Sequence, residues 1–200
     1  MFFTRKQNVN CGKCKLNLTA ENPKLGVEGE GQEGILIIAS APSFDDDEHG
    51  RHGYSEEYLG LKEELGKFDI DIDQDCWFTT AVDCYPVDED IDDSHIEYCR
   101  PHVTDLIKRL NPRVIIPVGI EAVKSLYAAR TPDFTFGIEQ WHGLTIPDQK
   151  HQKWVCPIYS IHWLERHRDD QAKLVFENDL YKAVSYRNKR FRKLADYSKK

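Results

Sequence analysis

Four of the six cysteines place the strongest constraint on what this chain can become. Cys11 and Cys14 form a C-x-x-C turn, and Cys84 and Cys99 follow far downstream with 14 residues between them. Two thiolates in such a turn can share one metal centre, because the intervening pair lets the chain reverse around it. A distant second pair then completes a four-thiolate shell. Shells of this kind suit zinc or an iron–sulfur cluster, and the spacing alone does not separate the two. The competing readings are a redox C-x-x-C, which needs no further cysteines, and four unrelated buried thiols. Disulfides fit least. The sequence has no signal-peptide pattern and no apolar run long enough to span a membrane, so a cytoplasmic setting is expected, where thiols stay reduced.

The remaining residues must fold these thiols onto one point. Two hundred residues suit a single domain, 1–200, with a substantial core. No repeat or low-complexity linker divides it, and a monomer is expected. The formal net charge of −7 excludes a chain that coats nucleic acid over its whole surface. It leaves room for a local basic patch, and the tail 187–200 carries most of the basic density.

Ile35-Leu36-Ile37-Ile38-Ala39 is a continuous apolar run, the mark of a strand buried on both faces. Further strands are predicted at 77–82, 114–119 and 154–160. Helices are predicted at 55–68 with Ser55 as N-cap, at 94–110 opened by a Ser94-x-x-Glu97 capping box and kinked at Pro101, at 121–129 and at 170–194. The acidic runs Asp45–Glu48 and 88–93 read as solvated loops. Alternating strands and helices predict an α/β fold, three layers αβα around a mostly parallel four-stranded sheet. Ligands bind such sheets at the carboxyl ends of the strands. Ser40-Ala41-Pro42-Ser43, Thr80 and Ser160-Ile161-His162 stand at three of those ends.

These residues resemble the uracil-DNA glycosylase superfamily, most nearly its iron–sulfur family 4, with some likeness to family 5. Asp83-Cys84-Tyr85-Pro86 resembles the family's K-C-R-P. Glu97-Tyr98-Cys99-Arg100-Pro101-His102 resembles its E-x-C-R-P-Y/F helix, and the segment from Asn111 to Gly119 its P-x-V-I-I-x-L-G strand. The likeness runs from about Cys11 to about Val184. It implies a [4Fe–4S] cluster on Cys11, Cys14, Cys84 and Cys99, with zinc as the alternative, and DNA as the partner.

The family's catalytic motifs are matched only in part. Ala39-Ser40-Ala41-Pro42-Ser43 stands for G-E-x-P-G, so Ser40 replaces the water-activating acid and Ala41 lies beside it. In the G-R-x-F motif Gly50-Arg51 is kept, Gly53 falls at the base-stacking phenylalanine, and Tyr54 beside it is the candidate ring. Thr80 replaces the asparagine that reads uracil, and a hydroxyl offers less than the amide's paired donor and acceptor. His162-Trp163-Leu164 stands for H-P-S and keeps the histidine that stabilises the leaving base. Glu56 falls near the family 5 aspartate, as a candidate acid. Arg166, His167 and Arg168 lie where the family inserts a loop into the minor groove.

The resemblance therefore implies base excision that is weak or altered in specificity, a slow residual reaction at best. The alternative is an inactive member that serves as a DNA-binding module or contacts a replication or repair protein.

Overall fold

The structure is a computed structural model that describes residues 11–87, 90–128, 137–167 and 169–193. The sheet is ordered β2-β1-β3-β5-β4, built from β1 (Ile35–Ala39), β2 (Cys76–Thr80), β3 (Val114–Pro117), β4 (Ile146–Asp148) and β5 (Lys153–Val155). The first four in that order run parallel, and β4 closes the edge antiparallel to β5.

The sheet thus has five strands rather than the expected four. β4 escapes the pattern because it is three residues long and holds Pro147, which fits only an edge strand. Pairing is in step along the centre, with Ile35 opposite both Cys76 and Val114 and Ala39 opposite Thr80.

Side chains alternate across a strand, so β1 divides its apolar run between two layers. Ile35, Ile37 and Ala39 pack with Leu61 and Leu65 of α3 (Glu56–Gly66), Ile161 of α7 (Ile161–Arg166), and Phe176 and Leu180 of α8 (Asp170–Ser185). Leu36 and Ile38 pack with Val103, Leu106 and Ile107 of α5 (Asp93–Leu110) and with Val123 and Leu126 of α6 (Gly119–Tyr127). This is the three-layer αβα arrangement. A short α4 (Ile72–Asp75) leads into β2.

Four local expectations are corrected. The acidic run at Asp45 is not a loop but part of α2 (Phe44–His49). Ser43 caps it, Asp46 completes the capping box, and the acids suit the positive end of the helix dipole. Asp46 and Asp47 are buried, and Asp47 accepts from the Glu21 and Asn22 amides at 2.8 Å each.

Helix α5 begins earlier than expected. Its cap is Asp92, whose Oδ1 accepts from Ser94 N at 2.8 Å and His95 N at 3.0 Å, and His95 rather than Glu97 closes the box. The helix runs on through Pro101 to Leu110. Helix α8 ends at Ser185, short of the expected 194, and passes into a 3₁₀ turn at Tyr186–Asn188. Residues 88, 89, 129 and 194–200 of the expected loop, helix and tail lie outside the described residues.

Candidate functional site

The thiol corner is assembled where β2 ends. Ala81 N donates to Ala39 O at 2.8 Å and Val82 N to Ser40 O at 3.1 Å, so the β1–β2 pairing runs past the strands and fixes Cys84. Cys99 comes from the second turn of α5. Cys84 and Cys99 are buried with Leu16 of α1 (Leu16–Thr19), Ala20, Val82 and Ile96, and Cys14 packs against that group. The four thiols are electrostatically coupled, Cys84 to Cys11 and Cys14, and Cys99 to Cys14 and Cys84. Among the described residues, no three His, Cys, Asp or Glu side chains are close enough to clasp a single ion.

The donor set fits the soft centre that the resemblance implies. It is sulfur only, walled by aliphatic side chains, and amides are aimed at two of the sulfurs. Lys24 N donates to Cys84 Sγ at 3.2 Å, and the Asp83 amide serves Cys99. Burial pushes the Cys84 and Cys99 thiols up to about 12. Without a cation, such thiolates are costly in an apolar corner.

Beside this corner, a cleft of about 410 Å³ opens at the carboxyl ends of β1, β3 and β5. Ser40, Ala41, Glu57, Gly119, Glu121, Glu139, Ser160, His162, Trp163 and Arg166 line it. Ser160 caps α7 by accepting from Trp163 N at 3.1 Å, which sets His162 in the first turn. Glu57 of α3 reaches across to accept from Ile161 N at 2.9 Å, and its Oε2 stands 3.2 Å from His162 Nδ1. Gly60 permits this approach: a Cβ there would stand 2.7 Å from the Ile161 side chain. The Glu57 side chain is 12% exposed, His162 57% and Glu56 75%. Glu56 stands 3.6 Å from His162 Nε2. The hydrogen bond to Glu57 raises the His162 pKa above the ordinary imidazole value, against a smaller desolvation effect, and Glu165 and Glu56 add to the rise.

At the end of β3, Gly119 adopts φ +80°, open to glycine without strain. That turn brings Glu121 back over the cleft floor, with Oε2 3.5 Å and Ser160 Cβ 3.9 Å from where a Gly119 Cβ would lie. Glu121 makes no side-chain hydrogen bond among the described residues, whereas both Glu57 oxygens are engaged.

Of the residues expected from the sequence, Ser40, Ala41, His162 and Arg166 meet at this cleft. Thr80 and Tyr54 are not in its lining. Thr80 is fully buried, its hydroxyl without a hydrogen-bond partner. Tyr54 stacks on His49 at 3.8 Å, with the Arg51 guanidinium 5.5 Å from its ring. His167 stacks on Trp163 at 4.4 Å, and Trp163 in turn on Tyr159 at 3.6 Å. Arg168 lies outside the described residues.

Glu57 and Glu121 stand in the first turns of their helices, where acids are common, so nothing in the sequence singles them out. Nor does it single out buried His52. It meets Phe78 edge-on at 5.4 Å, both ring nitrogens lack a hydrogen-bond partner, and burial lowers its pKa to about 4.

Comparison with known proteins gives a consistent result. The family model of the uracil DNA glycosylase superfamily matches residues 27–184. A type-4 uracil-DNA glycosylase of Pyrobaculum aerophilum is 32% identical over 118 residues, 58% of this chain and 59% of that protein. The enzymes of the same name from Sulfurisphaera tokodaii and Saccharolobus solfataricus are 27% and 28% identical, over 66% and 58% of this chain. The matches span between 54% and 60% of the length of these three relatives.

Proposed function

The chain belongs to the uracil-DNA glycosylase superfamily, and from that premise we propose that it hydrolyses the N-glycosidic bond of uracil or a closely similar base in DNA, slowly and with relaxed discrimination. The observation that carries this reading is the pairing of His162 with Glu57 on the wall of a cleft at the strand ends.

Hydrolysis of this bond asks for a pocket that takes the extruded base, a donor for the charge that develops on it and a water held for the sugar. The cleft supplies the first. His162 supplies the second: Glu57 fixes the ring through Nδ1 and favours the imidazolium, so that Nε2, 3.6 Å from the exposed Glu56 carboxylate, turns to donate to the leaving base when it enters. Glu121 supplies the third and stands in for the acid that Ser40 lacks, because its carboxylate overhangs the cleft floor with no competing hydrogen bond among the described residues. Thr80 is buried outside the cleft lining and carries no amide, so the paired readout of uracil is missing at this position, which is the reason to expect weak preference for uracil.

Cys11, Cys14, Cys84 and Cys99 are assigned in this reading to a [4Fe–4S] cluster, supported by the packing of Cys14 against Cys84 and Cys99, by the C-x-x-C turn that ties Cys11 to Cys14, and by the amides aimed at Cys84 and Cys99. When bound, the cluster ties the N-terminal segment to β2 and α5 and takes no part in hydrolysis.

The test is incubation of purified protein with uracil-containing single- and double-stranded oligonucleotides, followed by alkali. The expected result is slow strand scission at uracil with release of the free base. Tight DNA binding with no release of uracil would instead make the chain a binding module.

A further inference from the structure

The opposite, amino end of the sheet carries a second surface. A groove of about 490 Å³ lies where the chain enters β3 and β5, lined by Asn111, Arg113, Gln152 and Lys153, with the segment Arg187–Phe191 across from them. Five cations face it: Arg113, Lys153, Arg187, Lys189 and Arg190. Glu33 is the acid paired with any of them among the described residues, at 3.2 Å from Arg187 Nε. Arg113, Lys189 and Arg190 have no ion-pair partner there and are exposed. In a chain of net charge −7, this is a pronounced local reversal of sign.

The basic segment is held in place. The Trp154 indole donates to Lys189 O at 3.1 Å, and its ring meets Tyr186 and Phe191 edge-on at 5.0 and 5.5 Å. Arg187 also donates to Val184 O at 2.9 Å. Ordering of the cations is thus built into the fold.

We infer that this groove binds the phosphodiester backbone of single-stranded nucleic acid, as a second contact surface remote from the His162 cleft. Guanidinium forks match phosphate oxygens two at a time. The amides of Asn111, Gln152 and Asn188 and the half-exposed Phe191 ring add what a single strand uses beyond charge, namely polar edges and a stacking surface. An acidic peptide would use the cations alone, so the nucleic acid is favoured. Six residues of extended chain separate Arg113 from Gly119, about 20 Å, so one strand can touch both sites only by passing over the edge of the sheet.

The experiment uses a labelled oligothymidylate of about a dozen nucleotides, free of uracil, so that excision is not read and its outcome is separate from that of the glycosylase reading. Affinity is measured against salt for the full chain, for R113E/K189E/R190E, and for K108E/R109E/K173E, which changes the net charge equally at exposed sites elsewhere. The groove variant is expected to bind roughly tenfold or more weakly, with a salt slope shallower by about 2, while its far-UV spectrum and the control's affinity stay unchanged. Equal weakening of both variants, or of neither, would overturn the proposal. So would polyglutamate that competes as well as the oligonucleotide.

Discussion

The thiol corner and the cleft both lie at the carboxyl end of the sheet, yet they are built differently. The corner sets Cys84 and Cys99 among Leu16, Val82 and Ile96, with Cys14 packed against them. The cleft gathers unlike polar groups, with Glu57 held on His162 and Glu121 standing over Gly119. A rigid inorganic centre asks for particular donor atoms, so its ligands stay readable as cysteines at set spacings. A site that works by orientation asks for a group at a point in space, and a different element can deliver it. In the proposed reading, the acid absent at Ser40, just past β1, is supplied by Glu121 on α6, which lines the same cleft.

The comparison is tested most strongly at the corner. Cys84→Ser is expected to lower iron from about four per chain to a small fraction of that and to bleach the absorption. It should also lower the melting temperature by about 10 °C or more, the effect of several kcal/mol in a domain of this size. Cys156→Ala, in the buried but separate core on the α3 and α8 side, should keep the iron. Iron content and a thermal melt read both. An unbleached Cys84→Ser protein would break the contrast between the two regions.

In the cleft, Glu121→Gln is expected to slow single-turnover excision about a hundredfold, the usual scale for losing a positioned acid or base, with DNA affinity unchanged. Glu57→Gln should cost about tenfold and also change the pH profile. The raised His162 pKa means that the imidazolium is present at low pH and is lost as pH rises through the raised value. Without Glu57 the midpoint of that fall should move down towards the ordinary imidazole range, near ~6.5. The same sign applies to stability: the pairing stabilises the fold below that range and ceases to do so as pH rises through the raised value. An unmoved profile would remove Glu57 from its positioning role. The smallest effect is expected from Gly60→Ala, which presses on Ile161. It should slow excision only a few-fold, the methyl shifting α7 slightly and loosening the Glu57 contact.

Much of the scaffold was legible because burial on both faces leaves an unbroken apolar run, as at Ile35–Ala39 and Val114–Ile116. Edge strand β4 was not, since three residues with a proline carry no periodicity. The acidic run at Asp45 read as solvated because composition alone does not reveal that Asp47 would accept two amides from the N-terminal segment.

His162 could be picked out from its motif, but its partner could not. Glu56 and Glu57 are neighbours in sequence, and one step along a helix turns a side chain by about 100°. Both approach His162, but only the more buried Glu57 hydrogen-bonds it, and that contact depends on how closely α3 docks on α7 at Gly60 and Ile161, far apart in the chain. Glu121 depends in the same way on the left-handed turn at Gly119.

The central claim is that His162, set by Glu57, stabilises the base as it leaves. The direct measurement is the single-turnover rate of uracil release from a single-stranded oligonucleotide, at saturating protein, for the native chain and for His162→Gln. The account predicts slow but measurable release by the native protein and a further loss of roughly a hundredfold or more in the variant, at equal DNA affinity and equal iron content. Release at the native rate by the His162→Gln protein would contradict it.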